Sequence, residues 1–127
     1  MAPRQLLTTH FFDQLTTFCK ELSEMYPDDP DFALGFTTST LMRTMNPNMV
    51  VKWYYINSCN FESEILSKNE KFFLDHSFLE FQGDLDFNLL VKLKQYVLTM
   101  GPESKEYVWV YIQNMYKLSK AIITMNK

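Results

Sequence analysis

Glycine and cysteine are scarce in this chain, and each shortage argues against a class of protein. The 127 residues include 3 glycines, too few for a glycine-rich phosphate-binding loop or a sandwich with many tight turns. The 2 cysteines are far fewer than a small secreted disulfide protein needs. Cys19 lies on an apolar helical stripe, which predicts a buried free thiol rather than a bridge to Cys59. These features predict an intracellular protein made under reducing conditions.

An excess of positive charge and long apolar runs are also missing. Lysine and arginine total 12 against 15 acidic residues, and the net charge is -3. Nucleic-acid binding uses cations that replace phosphate counterions, so this composition disfavours it. A local lysine patch stays open as an alternative, with Lys92, Lys94, Lys117 and Lys120 as its members. No run approaches the roughly 20 apolar residues of a membrane span, and no signal peptide is recognisable.

The remaining composition is typical of a globular domain with its own core. Hydrophobic residues make up 46% of the chain and aromatic residues 16%. A chain of this length has room for one core, and no linker, repeat or low-complexity tract divides it. We therefore expect a single helical domain spanning residues 1–127.

Apolar residues recur at helical spacing in the first part of the chain. The stripe from Phe11 to Met25 predicts a helix over Thr9–Met25, capped by Thr8 or Thr9 and ended by Pro27. Asp29 before Pro30 is a helix-start signature and predicts a second helix over Pro30–Met45. Its inward residues are predicted to be Leu34, Leu41, Met42 and Met45, with a break or kink near the run of threonines at 37–40.

The middle and end of the chain complete an all-α pattern. Residues 49–56 suit a helix or a buried strand, and the preceding Asn46-Pro47 favours the helix. We expect a loop over 58–66, a short helix opened by a capping box at 67–70, and an irregular segment over 75–83 anchored by Phe78, Leu79 and Phe81. A further helix capped by Asp84 or Asp86 should end near Thr99, with Gly101 as its C-terminal cap. The final helix should run over Pro102–Thr124. The sequence predicts a compact bundle of five or six helices with an irregular middle segment.

No group of residues predicts catalysis, cofactor binding or a metal site. Asp28, Asp29 and Asp31 resemble an oxygen-ligand cluster, but Asp29 before Pro30 marks the start of a helix, and capping explains these carboxylates better than a metal site does. His10 and His76 lack accompanying ligands at zinc-site spacing. Neighbouring Glu62 and Glu64 do not predict two carboxyl groups held across a cleft. We expect no enzyme activity and no cofactor.

Aromatic residues exceed what a small core can bury, so some are expected on the surface. Tyr107 and Tyr111 lie four residues apart and off the core stripe of the last helix. Tyr55 cannot share a narrow face with both of its aromatic neighbours. Exposed aromatic patches mark partner surfaces, and Tyr55, Tyr107 and Tyr111 are therefore the candidate partner-binding residues.

Three segments carry a resemblance to a known group of proteins. They are FFDQLTTFCKELSEMYPDDPDF, KNEKFFLDHSF and LLVKLKQYVLTMGPESKEYVWVYIQNMYKLSKAI. Together they resemble small helical proteins of large nucleocytoplasmic DNA viruses that infect algae and protists. The shared features are the Tyr26-Pro27-Asp28 turn, the Phe72-Phe73 pair, and Trp109 followed by Tyr111 and Leu118-Ser119-Lys120. The resemblance implies a helical viral protein and brings no catalytic residues.

These observations favour a non-enzymatic helical module that binds another viral or host protein, or a second copy of itself. A viral structural or accessory component in the host cytoplasm or the virion fits the resemblance. The alternative is a nucleic-acid-associated factor in replication or transcription that uses the lysine patch.

Overall fold

Every element of regular structure in the described part of the chain is a helix. The computed structural model describes residues 3–76 and 87–125, and no strand occurs within these residues. The α-helices are α1 (Pro3–Met25), α2 (Pro30–Met45), α3 (Pro47–Ser58), α4 (Glu62–Leu66), α5 (Glu70–Asp75), α6 (Phe87–Val97) and α7 (Pro102–Thr124). A 3-10 turn at Cys59–Phe61 joins α3 to α4. The all-α prediction is confirmed, with five long helices and the short α4 and α5 between them.

The core forms where the two longest helices meet their neighbours. Helix α1 packs against α2 and α7, and α7 also packs against α3. Phe11, Phe12 and Ile122 are fully buried at these contacts. The apolar stripes of α1 and α7 are buried largely as predicted, although Met25 at the end of α1 is exposed. Cys19 is buried, and within the described residues neither Cys19 nor Cys59 forms a disulfide bond.

Local signals set several helix boundaries correctly. Helix α2 begins at Pro30 because the Asp29 side chain accepts a hydrogen bond from the Asp31 backbone N–H at 3.1 Å. Helix α7 has both of its predicted bounds. Residues 49–56 lie within α3, so helix was the correct choice over strand. Helix α2 continues through the threonine run without a break.

The start of α1 and the segment after α3 differ from the prediction. Helix α1 begins at Pro3, and Thr8 and Thr9 lie inside it. Their hydroxyls donate to the backbone carbonyls of Arg4 and Gln5 at 2.9 and 3.0 Å, so they do not cap the helix. Residues 59–66 are helical rather than a loop, because a 3-10 turn and α4 follow α3 directly.

Two predicted caps are also wrong in detail. Asn69, rather than Ser67, caps α5 by accepting a hydrogen bond from the Phe72 backbone N–H at 3.0 Å. Helix α6 ends at Val97, and Gly101 is the N-cap of α7 rather than the C-cap of α6. The predicted anchors Phe78, Leu79 and Phe81, and the predicted caps Asp84 and Asp86, lie outside the described residues.

The inward face of α2 is the main error in the predicted core. Leu34, Leu41 and Met45 are 63%, 56% and 69% exposed, and only Met42 of the predicted set is partly buried. The residues of α2 that are buried in the bundle are Phe32, Gly35 and Ser39. Small side chains at two of these three positions allow α1 to approach α2 closely, and this contact turns the leucines outward.

Candidate functional site

The outer face of α2 exposes a stripe of large apolar side chains. Leu34, Leu41 and Met45 are spaced seven and four residues apart, so they lie on one side of the helix. Phe36 is also exposed on α2, but it lies on the opposite side of the helix, one turn after Phe32. We call Leu34, Leu41 and Met45 the α2 outer face. A stripe of this kind differs from isolated exposed apolar residues, which are common on protein surfaces.

The α2 outer face also lacks charge. No charged residue occurs from Phe32 to Met42. The two charged residues of α2 are engaged with other helices: Asp31 pairs with Lys92 of α6 at 2.9 Å, and Arg43 pairs with Asp13 of α1 at 2.8 Å. A surface helix ordinarily carries charged side chains on its solvent side, so this helix has the polarity of an interface.

The threonines beside the stripe do little to make this face polar. The Thr37 hydroxyl donates to the Ala33 carbonyl at 3.2 Å, and the Thr40 hydroxyl donates to the Phe36 carbonyl at 2.9 Å. These hydroxyls are therefore turned back toward the backbone one turn earlier. The resulting surface offers apolar contact area and few free hydrogen-bonding groups.

The three candidate tyrosines do not form one surface. Tyr107 is 60% exposed on α7. Tyr111 is partly buried and stacks on Phe18 of α1, with ring centroids 5.0 Å apart. Burial and a hydrogen bond with Glu21 raise the pKa of Tyr111 to about 12. Tyr55 is also partly buried, and its ring stacks on the ring of Tyr116.

The acidic turn before α2 forms a polar cluster with α6. Lys92 donates to Asp29 Oδ1 at 2.9 Å, and the Tyr96 hydroxyl donates to Asp29 Oδ2 at 2.8 Å. The hydrogen bond from Lys92 holds the pKa of the buried Asp29 carboxyl below its usual range, and the bonds to Asp29 and Asp31 raise the pKa of Lys92. Tyr96 also stacks on Tyr26 at 3.8 Å. This cluster joins the turn before α2 to α6. Its carboxylates, those of Asp29 and Asp31, both form ion pairs with Lys92.

The lysines of the alternative nucleic-acid patch are largely engaged within the protein. Lys92 is held by the carboxylates of the α2 turn, and Lys94 donates to the His76 carbonyl. Lys120 pairs with Glu62 at 2.7 Å, which leaves Lys117 exposed on α7. Phosphate binding by these lysines would require the existing pairs to break, and this cost opposes binding. The geometry therefore does not favour the nucleic-acid alternative.

Tyr116 and Glu62 connect α7 to α4 through a hydrogen bond of 2.7 Å. We expect Tyr116→Phe to lower the free energy of unfolding by about 1 kcal/mol, because the ring stays buried while one hydrogen bond to a carboxylate is lost. Urea unfolding followed by circular dichroism measures the change. Tyr107→Phe is the matched control and should leave stability within about 0.5 kcal/mol. Equal losses in the two variants would contradict the assignment.

The remaining residues with metal-binding or acid–base chemistry are dispersed. His10 is exposed, and His76 caps α5 and stacks on Phe72. Across residues 3–76 and 87–125, no three histidine, cysteine or acidic side chains are grouped closely enough to hold a metal ion.

Within the same ranges, no helix is both long and apolar enough to cross a bilayer.

Sequence reasoning missed the α2 outer face, although one signal for it is present. The charge-free run from Phe32 to Met42 marks a helix whose solvent side has no ionic groups. The sequence analysis instead placed Leu34, Leu41 and Met45 in the core.

Comparison with known proteins adds no information about this site. No family model, curated protein or solved structure matches the chain. The candidate site therefore stands on its own geometry.

Proposed function

We propose that this protein is a non-enzymatic helical module that binds another protein through the α2 outer face. The observation that carries the proposal is the exposed, uncharged apolar stripe of Leu34, Leu41 and Met45. Charged residues are depleted in the centres of protein interfaces, whereas large apolar side chains supply most of the contact energy.

The surface chemistry favours an amphipathic helix as the partner element. A helix in the partner can place apolar residues at intervals of three and four along the stripe, and neither side then buries an unpaired charge. The motifs shared with helical proteins of large DNA viruses support a structural or accessory role in the host cytoplasm or the virion. Tyr107 is retained as a second contact, because its exposed ring is available without any rearrangement of the core.

Partner purification with a matched pair of variants tests the proposal. We expect Leu34→Glu/Leu41→Glu to reduce recovery of the partner by about tenfold or more, because each glutamate places an unpaired charge in the interface. Leu66→Glu/Leu98→Glu makes the same chemical change at two exposed leucines outside α2 and should leave recovery unchanged. Quantitative mass spectrometry of the purified complexes measures the ratio.

Two further results decide between the possible surfaces. If both double variants lose the partner equally, the α2 outer face is not the binding surface. Tyr107→Ala alone should reduce recovery by less than the α2 double variant, and the reverse order would place binding on α7. Sedimentation of the purified protein shows whether the partner is a second copy, since the α2 variant would then be the monomer.

A further inference from the structure

An apolar cavity that is partly open to solvent lies between the helices and is separate from the α2 outer face. Its volume is about 250 Å³, and each of the seven described helices contributes to its wall. Leu15 and Phe18 of α1 line it, together with Val50 and Trp53 of α3 and Trp109 of α7. A cavity of about 150 Å³ with an apolar lining already stays dry and accepts benzene, so this one has room for a larger guest.

Rigid aromatic rings form much of the cavity wall. Rings from four different elements meet here, those of Phe18, Trp53, Phe61 and Trp109. Met42 and Met115 also line the cavity, but an indole or phenyl ring cannot change shape to fill the remaining space as a methionine can. The atoms of the wall therefore lack dispersion contacts on one side, and an apolar guest would restore them.

A small group of polar residues from α3 and α4 indicates what kind of head group fits. Asn57, Ser58 and Glu64 are part of the lining. The Asn57 amide nitrogen already donates to the Trp53 carbonyl at 2.9 Å, which leaves its side-chain oxygen as an acceptor. Within residues 3–76 and 87–125, no hydrogen bond or ion pair engages the Glu64 carboxylate. The wall thus offers acceptors to a guest that can donate.

We propose that this cavity binds one small molecule with an alkyl chain of about eight carbon atoms and a hydroxyl end. The chain occupies the apolar wall, and the hydroxyl donates to Asn57 or Glu64. A carboxylate end is disfavoured, because it would bring a second negative charge close to Glu64. Binding here does not depend on the protein-binding role of the α2 outer face.

The two tryptophans of the chain report on the cavity directly, because both Trp53 and Trp109 line it. Titration of the full chain with 1-octanol should give a saturable change in tryptophan fluorescence, with a Kd below about 1 mM. The melting temperature should rise over the same range of concentration. A fluorescence trace that is linear in octanol, with no rise in melting temperature, would overturn the proposal.

A matched pair of substitutions places the binding site. Val50→Phe fills the cavity and should weaken octanol binding by about tenfold or more, since ligand and ring compete for the same volume. Val110→Phe makes the same change at an exposed position of α7 and should leave the Kd unchanged. Circular dichroism checks the fold, and Leu15→Phe replaces Val50→Phe if the latter does not fold. Equal Kd values for the filled and control variants would overturn the proposal.

The head-group preference is tested without altering the cavity volume. The wild-type protein should bind octanoate about tenfold or more weakly than 1-octanol at neutral pH. Glu64→Gln should strengthen octanoate binding by about fivefold, whereas Glu103→Gln on the exposed start of α7 should not. Octanoate binding as tight as octanol binding in the wild-type protein would contradict the proposed head group. Retention of the protein partner by these variants separates this result from the α2 proposal.

Discussion

Phe11→Ala is expected to lower the free energy of unfolding by about 3–5 kcal/mol, the largest loss among the substitutions proposed for this protein. Phe11 is fully buried, and its ring lies edge to face with Phe12 at 5.3 Å and with Tyr54 at 5.6 Å. The Tyr54 hydroxyl in turn donates to the Ile112 carbonyl of α7 at 3.1 Å. Removing the Phe11 ring therefore leaves a void where α1, α3 and α7 meet.

Phe36→Ala provides the matched control for this prediction. The chemical change is the same, but Phe36 keeps 36% of its surface exposed, so we expect a smaller loss of about 2 kcal/mol or less. Phe11→Leu should fall between the two, because it keeps most of the apolar volume. Urea unfolding at 25 °C gives the three values. A loss for Phe11→Ala no greater than that for Phe36→Ala would show that Phe11 is not in the core.

Asp29→Asn is expected to lower the melting temperature at pH 7 by about 5 °C or more. The Asp29 carboxylate caps α2 and accepts hydrogen bonds from Lys92 and Tyr96. Asparagine keeps the shape of the side chain but loses the charge, and its NH₂ group faces donors. Asp28→Asn, one residue earlier and exposed, is the control and should change the melting temperature little.

Acidification should remove the higher melting temperature that Asp29 gives the protein relative to asparagine at the same position. The pKa of Asp29 in the folded protein lies below its ordinary value of 3.8, because Lys92 and Tyr96 favour the charged form. The stabilisation by the Asp29 carboxylate is complete at pH values above its ordinary pKa. It is lost as the pH falls through the lower pKa that this carboxyl has in the folded protein. The difference in melting temperature between wild type and Asp29→Asn should therefore be constant from pH 7 to 5 and shrink below pH 4. Glu62 titrates in both proteins and cancels in the comparison. A difference that grows with acidification would contradict the role assigned to Lys92.

Lys92→Met isolates the contribution of the ion pair between Asp29 and Lys92. We expect the fall in melting temperature of the double variant Asp29→Asn/Lys92→Met to be smaller than the sum of the falls in the two single variants, because each single change already removes the same interaction. Strict additivity of the two changes in melting temperature would mean that the interaction with Lys92 contributes nothing to the stabilisation by Asp29.

The contrast between α2 and α7 shows how far sequence reasoning reached. In α7 the apolar residues form one stripe, so periodicity identified both the helix and its buried face. In α2 the bounds were correct, because Asp29-Pro30 and Asn46-Pro47 are local signals that need no tertiary contact. That helix has apolar residues on opposite sides, Phe32 on one and Leu34 and Leu41 on the other. Periodicity could not determine which side meets α1.

The candidate sites depended even more on tertiary contacts. Tyr107, Tyr111 and Tyr55 were equivalent as off-stripe aromatics, but α1 covers Tyr111 through Phe18 and α7 covers Tyr55 through Tyr116. The cavity could not be foreseen, because it depends on how side chains from the seven described helices fail to fill one volume. Composition alone cannot locate such a space.

The sequence by itself determined the helical class, the ends of α2 and α7, and the inward stripes of the two longest helices. These properties follow from the periodicity, caps and prolines of short segments, which act within a few residues along the chain. Only the tertiary structure decided which side of α2 faces solvent, which carboxylates hold Lys92, and where the core leaves a cavity. Each of those depends on residues far apart in the chain, and the packing of one helix against another sets which of them meet.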